Sequence, residues 1–250
     1  MSASSHFAII PAAGRGSRLH PLTRELPKPL LEVGGRPILA HVLQRLAPFA
    51  PTEIVLVIGR RDDMIPDRFG ENWMGIPLRY VRQEEPLGLA HALCLGVAGC
   101  TGPFLVMHGD VIYSPEVTLA PVVEGFHEGE VAATLLTEKR EPGAVTRGAV
   151  QVGANGRVSA LSEYPGAVER GWGRVAAGFY VFDEVAKEAF RGILPSLAGE
   201  YEVPDALDWL LSRGHQVRAF DMEGDRVNVN TPEDLLRAEV LVGSEDGPQS

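Results

Sequence analysis

The sequence predicts an α/β fold in which a doubly wound, mixed but mainly parallel sheet carries helices on both faces, with a small second lobe. Short apolar runs such as Phe7–Pro11 and Glu53–Ile58 alternate with helical patterns such as Pro37–Leu46 and Gly88–Val97. This alternation is typical of parallel strands, because each crossover between them places a helix on one face of the sheet. The second half is less regular, and its clearest signal is the hairpin turn at Asn155–Gly156.

The remaining predicted elements extend this pattern. Further strands are predicted at Leu78–Arg82, Phe104–Met107, Val131–Leu136, Ala149–Val152, Arg157–Leu161, Arg174–Phe182 and Gln216–Phe220. Further helices are predicted at Pro115–His127, Pro204–Ser212 and Pro232–Leu241. We expect one domain over residues 1–242, with halves at about 1–136 and 137–242, and a flexible polar tail at 243–250. Open α/β sheets bind ligands beyond the carboxyl ends of their strands, so the loops at that edge are candidate sites.

The composition excludes several classes of function. The 250 residues carry a formal net charge of −10, which repels nucleic acid and anionic membranes, so neither is an expected partner. No apolar stretch approaches the ~18 residues that suggest a spanning helix, and residues 1–6 lack the basic and apolar regions of a signal peptide. Cys94 and Cys100 lack the C-x-x-C spacing, which favours a reducing compartment and predicts a cytoplasmic protein. A homo-oligomer is compatible with this composition.

The strongest functional signal is the loop after the first predicted strand. It consists of Ala12, Ala13, Gly14, Arg15, Gly16, Ser17 and Arg18. Its small residues let backbone N–H groups approach phosphate oxygens closely, and its two arginines add planar guanidinium groups that suit phosphate. Lys28 follows between Pro27 and Pro29, which restrict the backbone on either side of it. We therefore expect a triphosphate to bind this glycine-arginine loop.

Alternative functions of this loop stay open on the residues alone. A P-loop requires G-x-x-x-x-G-K-[ST], which is absent, and a dinucleotide-binding loop requires a third glycine where Leu19 stands. Arg60 and Arg61 follow the second strand and suit an NADP 2′-phosphate, but no Tyr-x-x-x-Lys pair for hydride chemistry is present. A plain tight turn and an NADP oxidoreductase remain the alternatives.

The stretch PAAGRGSRLHPLTRELPKPLLEVGGRPIL, residues 11–39, resembles the signature of the sugar-phosphate nucleotidyltransferases, and further matches extend over positions 8–236. This family includes glucose-1-phosphate thymidylyltransferases and UTP–glucose-1-phosphate uridylyltransferases. The resemblance implies a Rossmann-like fold and an enzyme that moves a nucleoside monophosphate from an NTP to a sugar 1-phosphate or similar phosphorylated polyol. It also implies Mg²⁺, the release of pyrophosphate, a nucleotide-binding first half and an acceptor-binding second half.

The resemblance assigns residues around the reacting phosphates. The loop 12–18 matches the segment that wraps the NTP phosphates, and Arg18 and Lys28 match the catalytic residues at the α-phosphate. His108 and Gly109 match nucleotide-binding positions.

The resemblance also implies a metal site. Asp110 matches the family's metal aspartate, and a carboxylate at the end of a strand is well placed for Mg²⁺. The second metal ligand falls on Asn228 or Asn230, and both are neutral; Asp225 is a fallback.

The resemblance also assigns residues that recognise the nucleotide base and residues that bind the acceptor. Gln83, Pro86 and Gly88 match the base-recognition segment. The sequence of this segment is most similar to that of members that use UTP or dTTP, and CTP and GTP stay open as substrates. The matches for acceptor binding are Gly148, Glu163, Tyr164 and Gly178.

Two departures affect the acceptor phosphate. Tyr164 and Ala198 stand where relatives often carry cations, and Arg147 or Arg174 is a candidate substitute. Hexose 1-phosphates, other phosphorylated polyols and cyclitols therefore stay open as acceptors. The same departures, with the neutral Asn228 and Asn230, leave a non-catalytic alternative: a regulatory subunit that binds nucleotide or sugar phosphate.

Overall fold

The computed structural model describes residues 6–60, 62–141, 144, 147–164, 166 and 171–243. The strands are β1 Phe7–Pro11, β2 Glu32–Val33, β3 Arg36–Pro37, β4 Ile54–Gly59, β5 Asn72–Trp73, β6 Ile76–Gln83, β7 Phe104–Met107, β8 Val111–Tyr113, β9 Ala133–Lys139, β10 Ala149–Val152, β11 Val158–Ser162, β12 Arg174–Phe182, β13 Val217–Asp221 and β14 Arg226–Asn228. The helices are α1 Ile38–Leu46, α2 Met64–Phe69, α3 Leu89–Gly96, α4 Ala120–Glu124, α5 Ala186–Gly192, α6 Val203–Ser212 and α7 Pro232–Gly243. Within these described ranges, no helix combines the length and apolarity that a bilayer span requires.

The chain divides into two compact units, and both are discontinuous in sequence. The N-terminal unit consists of residues 8–86, 107–118 and the segment from Glu223 onwards. The central unit consists of residues 87–106 and 119–222, together with His6 and Phe7. The functional halves expected at 1–136 and 137–242 stay a prediction. Of the predicted tail, Gly243 is the last residue of α7, and residues 244–250 lie outside the described residues.

The N-terminal unit is built on parallel strands, as the sequence predicts. β4 pairs in parallel with β1 and with β6, so that Val55 lies opposite Ile9 on one side and opposite Arg79 on the other. Every residue of β1 is buried, which explains its uninterrupted apolar run. The short β5 adds an antiparallel edge to β6.

A small antiparallel ribbon in the same unit is absent from the sequence prediction. β8 pairs with β14, and Asn228 lies opposite Val111. These strands have only three residues each, which is too short for an alternating pattern to stand out from the sequence. The ribbon matters because it brings the segment after Asp110 next to the segment before Asn230.

An apolar cluster in the N-terminal unit holds the segments that carry the candidate residues. Its buried members are Leu19, Leu31, Val33, Ile38, Ile112, Val227, Val229 and Ala238. Leu19 directly follows the glycine-arginine loop, Ile112 follows Asp110, and Val229 precedes Asn230. Packing of these side chains therefore fixes four separate pieces of chain, including α7, around one small core.

The central unit is a mixed sheet with helices. β9 pairs antiparallel with β12 and parallel with β13, and β10 pairs antiparallel with β11 and β12. The predicted hairpin between β10 and β11 is confirmed, and its turn residue Asn155 has φ 62°. The register of β12 against β9 shifts between Ala176 and Tyr180, around Gly178 with φ 88°.

The helix predicted at Pro115–His127 is wrong in extent, because only Ala120–Glu124 is α-helical. The guanidinium of Arg45 donates to the backbone carbonyls of Tyr113, Ser114 and Val117, at 3.4, 2.5 and 3.1 Å. Those carbonyl oxygens are therefore engaged by a side chain at the place where the predicted helix would begin. The short helices α2 and α5 are also absent from the sequence prediction.

We predict that the small cluster is essential for stability. Ile112→Ala removes a side chain that is 2% exposed, and such truncations cost about 2–5 kcal/mol of unfolding free energy. Val240→Ala on α7 is the matched control, since Val240 is 77% exposed and we expect a change within about 0.5 kcal/mol. Urea unfolding of both variants tests this, and equal midpoints would contradict the assigned core.

Candidate active site

Lys28 is held by a single tight turn. Lys28–Leu30 forms a 3₁₀ helix in which the Leu30 N–H donates to the Pro27 carbonyl at 2.8 Å. Pro29 lies inside this turn, so the backbone on both sides of Lys28 is restricted, as the sequence predicts. The Lys28 side chain is only 8% exposed, and its ammonium is therefore confined to a narrow region.

The Lys28 ammonium joins two residues that are far away in sequence. Its Nζ donates to Asp110 Oδ2 at 2.7 Å and to Asn230 Oδ1 at 2.9 Å. The Asp110 side chain is 28% exposed, so this contact is partly open to solvent. The structure thus brings together three of the residues that the sequence assigns to the reacting phosphates and the metal.

Backbone contacts fix both partners of Lys28. The Val229 N–H donates to the Asp110 carbonyl at 2.9 Å, which ties the end of β14 to Asp110. Asp234 caps α7 by accepting from the N–H groups of Asn230 and Thr231, at 3.1 and 3.0 Å. The helix start predicted at Pro232 is therefore confirmed, and the cap sets the position of Asn230.

The electrostatics keep Asp110 ionised and His108 neutral. Burial disfavours the charged Asp110 carboxylate, but the charge of the Lys28 ammonium and the hydrogen bond that it donates hold the pKa of Asp110 below its ordinary value. Burial lowers the pKa of His108 to about 4; Asp110 opposes this shift, while Arg226 and Lys28 reinforce it. At pH 7 the site therefore presents a carboxylate and an ammonium beside an uncharged imidazole.

The oxygen atoms around Lys28 fit a hard divalent cation. Asp110 Oδ2 and Asn230 Oδ1 already converge on one positive group, and Mg²⁺ prefers oxygen ligands, commonly one or two carboxylates plus phosphates. The amide oxygen of Asn228 instead accepts from Arg226 Nη1 at 2.7 Å. The described residues contain no group of three or more His, Cys, Asp and Glu that suits a metal. Asp110 with Asn230 is thus the best-placed donor pair.

The glycine-arginine loop presents its cations to solvent. Arg15 and Arg18 are exposed, and neither has an ion pair or hydrogen bond with another described residue. Gly16 has φ 60°, and a Cβ there would lie 3.1 Å from the Lys28 Cβ. A Cβ at Gly14 would meet nothing within 4 Å. The two glycines therefore differ, because the fold requires glycine at 16 and tolerates a side chain at 14.

Two other predicted nucleotide-binding glycines have structural reasons for lacking a side chain. A Cβ at Gly109 would lie 2.7 Å from the Pro11 carbonyl oxygen, next to Ala12. In the central unit, Gly88 has φ 100°, and its Cβ would lie 2.6 Å from the Tyr201 carbonyl oxygen. Both glycines permit a close approach of backbone segments.

The remaining nucleotide-binding predictions lie at the end of β6 and in the loop after β1. Gln83 is the last residue of that strand and is 5% exposed. Pro86 is exposed in the following loop, and Ala13 and Ser17 complete the loop at residues 12–18.

The predicted acceptor residues form a hydrogen-bonded network in the central unit. Arg147 Nε donates to Glu163 Oε1 at 2.8 Å, and its Nη2 donates to Tyr164 Oη at 3.0 Å. Tyr164 in turn donates to Glu202 Oε1 at 3.1 Å. Gly148 has φ 61° and donates its N–H to the Glu163 carbonyl at 3.2 Å. Gly178, predicted for the same function, lies at the irregularity in β12.

The network contains more carboxylate than cation. Burial raises the pKa of Glu163 to about 7; Arg147 opposes the shift, while Glu202 and Asp205 reinforce it. Burial also raises the pKa of Glu202, although the Tyr164 hydroxyl opposes the shift. Of the two arginines considered as substitutes for the missing cations, Arg174 is engaged by Asp221 through two bonds of 2.8 and 3.0 Å. Arg147 is engaged as well, but by the predicted acceptor residues Glu163 and Tyr164, so it is the better-placed one.

Two residues of these clusters are missed by the sequence prediction. Arg226 lies two positions before Asn228 on β14, and such residues share one face of a strand. Glu202 is 6% exposed and precedes α6, and its only sequence signal is an acidic residue in front of an apolar helix. Spacing along β14 could have identified Arg226, whereas nothing local distinguishes Glu202 from a solvated glutamate.

We predict that Gly109 is required by packing and Gly14 is not. Gly109→Ala forces backbone atoms apart, and overpacking of this kind costs about 1–3 kcal/mol of unfolding free energy. Gly14→Ala introduces the same methyl group into open space, so we expect a change within about 0.5 kcal/mol. Urea unfolding distinguishes the two, and an equal loss in both variants would contradict the close approach at Gly109.

We predict a pH dependence of stability that depends on Glu163. Its folded-state pKa of about 7 lies above the ordinary value of 4.5. The stability contributed by this group is therefore present below about pH 4.5 and is lost as the pH rises through about 7. In Glu163→Gln this loss disappears. Between about pH 5 and pH 8 the wild type should lose stability relative to the variant, on the order of 1–3 kcal/mol. Parallel profiles of unfolding free energy against pH would contradict the raised pKa.

Comparison with known proteins identifies relatives over nearly the whole chain. The UTP–glucose-1-phosphate uridylyltransferase AglF of Haloferax volcanii is 34% identical over 233 residues, which are 93% of this chain and 94% of AglF. The bifunctional protein GlmU of Methanococcus maripaludis is 30% identical over 92% of this chain, but the chain spans only 53% of GlmU.

Solved structures and a family model agree with these relatives. A Bacillus anthracis protein described as a glucose-1-phosphate thymidylyltransferase, solved with a sucrose, has a TM-score of 0.83 and 27% identity over 98% of each chain. This likeness confirms the predicted Rossmann-like α/β fold with a mixed, mainly parallel sheet. The family model described as "Nucleotidyl transferase" matches residues 7–244. The chain therefore belongs to the nucleotidyl transferase family of enzymes.

Proposed function

We propose that this enzyme transfers a nucleoside monophosphate from UTP or dTTP to a sugar 1-phosphate and releases pyrophosphate. The observation that carries this proposal is the Lys28 ammonium, fixed within 2.9 Å of both Asp110 and Asn230 in the unit that also contains the exposed Arg15 and Arg18. In an acidic protein, such a local collection of cations serves anionic ligands. The uridylyl- and thymidylyltransferase relatives support a pyrimidine nucleotide and a sugar 1-phosphate.

The proposed reaction is one in-line displacement. An oxygen of the acceptor phosphate forms a bond to the α-phosphorus, and the bond from that phosphorus to the oxygen bridging to the β-phosphorus breaks. The acceptor phosphate is already anionic near pH 7, so the protein supplies no general base. Its task is to align two anions and to stabilise the charge that develops between them.

Each segment of the N-terminal unit has a proposed part in that task. Backbone N–H groups of residues 12–17 bind the β- and γ-phosphates, because the loop combines small residues with an open side at Gly14. Arg18 and Lys28 are the proposed catalytic residues at the α-phosphate. In the nucleotide-free protein, Asp110 and Asn230 accept from the Lys28 ammonium, and such an ammonium is also a suitable donor to a phosphate oxygen.

Nucleotidyltransferases of this family generally use magnesium. We propose Asp110 with Asn230 as its protein ligands, because their oxygen atoms converge on one ammonium, and Asn228 as a weaker candidate because its amide oxygen accepts from Arg226 instead. When bound, the ion would supply positive charge that offsets the charge of the phosphates. The His108 imidazole is neutral and lies beside the Asp110 carboxylate. It stays a proposed nucleotide contact together with Gly109.

The base and the acceptor are proposed to use the remaining residues. Gln83 can both donate and accept, which suits the imide edge of uracil or thymine, and Pro86 and Gly88 complete the proposed base contacts. In the central unit, Glu163 suits sugar hydroxyls, with Gly148, Tyr164 and Gly178 as further acceptor contacts. We also propose a cytoplasmic location and no nucleic-acid or membrane partner. A homo-oligomer is compatible with this function.

We predict that the charges at Lys28 and Asp110 are needed for turnover. Lys28→Ala and Asp110→Ala should each lower kcat by about 10²-fold or more, because preorganised charge is lost. The control is Lys139→Ala, which removes a lysine that is 69% exposed and pairs with Asp221 in the central unit. Pyrophosphate release measured with UTP and glucose 1-phosphate tests this. Unchanged turnover in both site variants would count against these roles.

The substrate proposal is tested by an array of NTPs against phosphorylated sugars and polyols, again with pyrophosphate release as the signal. We expect UTP or dTTP with a hexose 1-phosphate to give the highest kcat/KM. Nucleotide binding without pyrophosphate release from any pair would instead favour the regulatory subunit.

A further inference from the structure

The Lys28 ammonium contacts both of the side chains that are proposed as ligands of the divalent cation. It donates to both of the oxygen atoms proposed as metal ligands, at 2.7 Å to Asp110 Oδ2 and 2.9 Å to Asn230 Oδ1. We infer that Lys28 and the divalent cation compete for this oxygen pair. In the nucleotide-free protein Lys28 holds the pair, and the cation binds tightly only after Lys28 has moved to a phosphate.

The competition follows from charge and from the number of donors. Asp110 is the only one of the two partners that carries a formal charge, so one ammonium already neutralises the pair. A divalent cation added beside that ammonium would be repelled at short range, and solvent would screen only part of this repulsion, since the Lys28 side chain is 8% exposed and the Asp110 side chain 28%. A bound divalent cation also needs the same oxygen lone pairs at a shorter distance than an ammonium does.

The geometry offers Lys28 a second position. Its backbone is fixed in the turn Lys28–Leu30, so only the side chain can move. The stem of Lys28 lies beside the glycine-arginine loop, since a Cβ at Gly16 would be 3.1 Å from the Lys28 Cβ. A triphosphate on that loop would therefore offer oxygen atoms close to the stem. Transfer of the ammonium from Asp110 and Asn230 to a phosphate would then free the oxygen pair.

The consequence is positive coupling between nucleotide and metal. A free divalent cation should bind weakly to the protein alone, and a triphosphate should strengthen its binding by more than the ligands that the phosphates themselves add. This inference rests on the proposed function, because it assigns the triphosphate to the glycine-arginine loop. It adds a role for Lys28 before the reaction, as a cation that keeps the metal ligands in place.

The inference is tested by Mn²⁺ binding to the nucleotide-free protein, followed by electron paramagnetic resonance. We expect Lys28→Met to bind Mn²⁺ at least about tenfold more tightly than the wild type, because the competing charge is gone. The double variant Lys28→Met/Asp110→Asn should lose that gain, which locates it at the oxygen pair. Lys139→Met is the matched control for the loss of one lysine charge and should bind Mn²⁺ like the wild type.

A second variant protects the test against misfolding. Lys28→Gln keeps an N–H donor for Asp110 while removing the charge, and it should also bind Mn²⁺ more tightly than the wild type. Both Lys28 variants are first compared with the wild type by circular dichroism and thermal unfolding. If the folded variants bind Mn²⁺ no more tightly than the wild type, or if the double variant keeps the gain, the inference is overturned.

The outcome is distinguishable from failure of the proposed function. Mn²⁺ binding is measured without substrate, whereas the proposed function fails if the wild type releases no pyrophosphate from any NTP and acceptor. Tighter Mn²⁺ binding in the Lys28 variants of an enzyme without pyrophosphate release would support the competition and reject the transferase activity. Pyrophosphate release by the wild type, without tighter Mn²⁺ binding in the Lys28 variants, would support the transferase activity and reject the competition.

Discussion

The contact of one buried ammonium with a carboxylate and an amide is the constraint on which the rest of the site depends. Lys28, Asp110 and Asn230 come from three distant parts of the chain, and a contact of 2.7–2.9 Å tolerates little displacement. The tight turn with Pro29, the β8–β14 ribbon and the N-cap of α7 each fix one of the three. The apolar cluster that includes Ile112 and Val229 then holds these elements together.

This arrangement explains how an acidic protein can serve phosphates. The net charge of −10 is spread over the chain, while Arg15, Arg18 and Lys28 are concentrated in the first segment of the N-terminal unit. The two arginines are exposed and the lysine is buried, so they differ in what they can do. Exposed guanidinium groups attract and bind an anion, whereas a confined ammonium can act on one defined atom. The central unit has the opposite character, with Glu163 and Glu202 around a single Arg147.

The sequence predicts most of the parallel architecture and the first loop. Uninterrupted apolar runs identify β1 and β4 because buried parallel strands need no alternation, and the proline-flanked Lys28 is correctly expected to be held in place. The short strands β8 and β14 carry too few residues for a pattern. The helix expected at 115–127 is formed only over Ala120–Glu124, and Arg45, distant in sequence, donates to backbone carbonyls near its expected start.

Prediction of the site residues from sequence is limited in the same way. Family resemblance selects Asp110, Asn228 and Asn230 together, but only three-dimensional contacts separate the two asparagines, since one faces Lys28 and the other faces Arg226. Glycine motifs identify Gly14, Gly16 and Gly109 equally well. Only the surrounding atoms show that a side chain would fit at Gly14, whereas at Gly109 it would collide with the Pro11 carbonyl oxygen. Contacts of this kind depend on long-range packing, which local sequence does not encode.

The most direct test of the central claim is a crystal structure of the enzyme with magnesium and a UTP analogue whose α–β bridge resists cleavage. We expect the triphosphate to lie on residues 12–18, with the Lys28 ammonium on a phosphate oxygen and the metal on Asp110. A triphosphate bound elsewhere, with Lys28 still on Asp110 and Asn230, would contradict this claim.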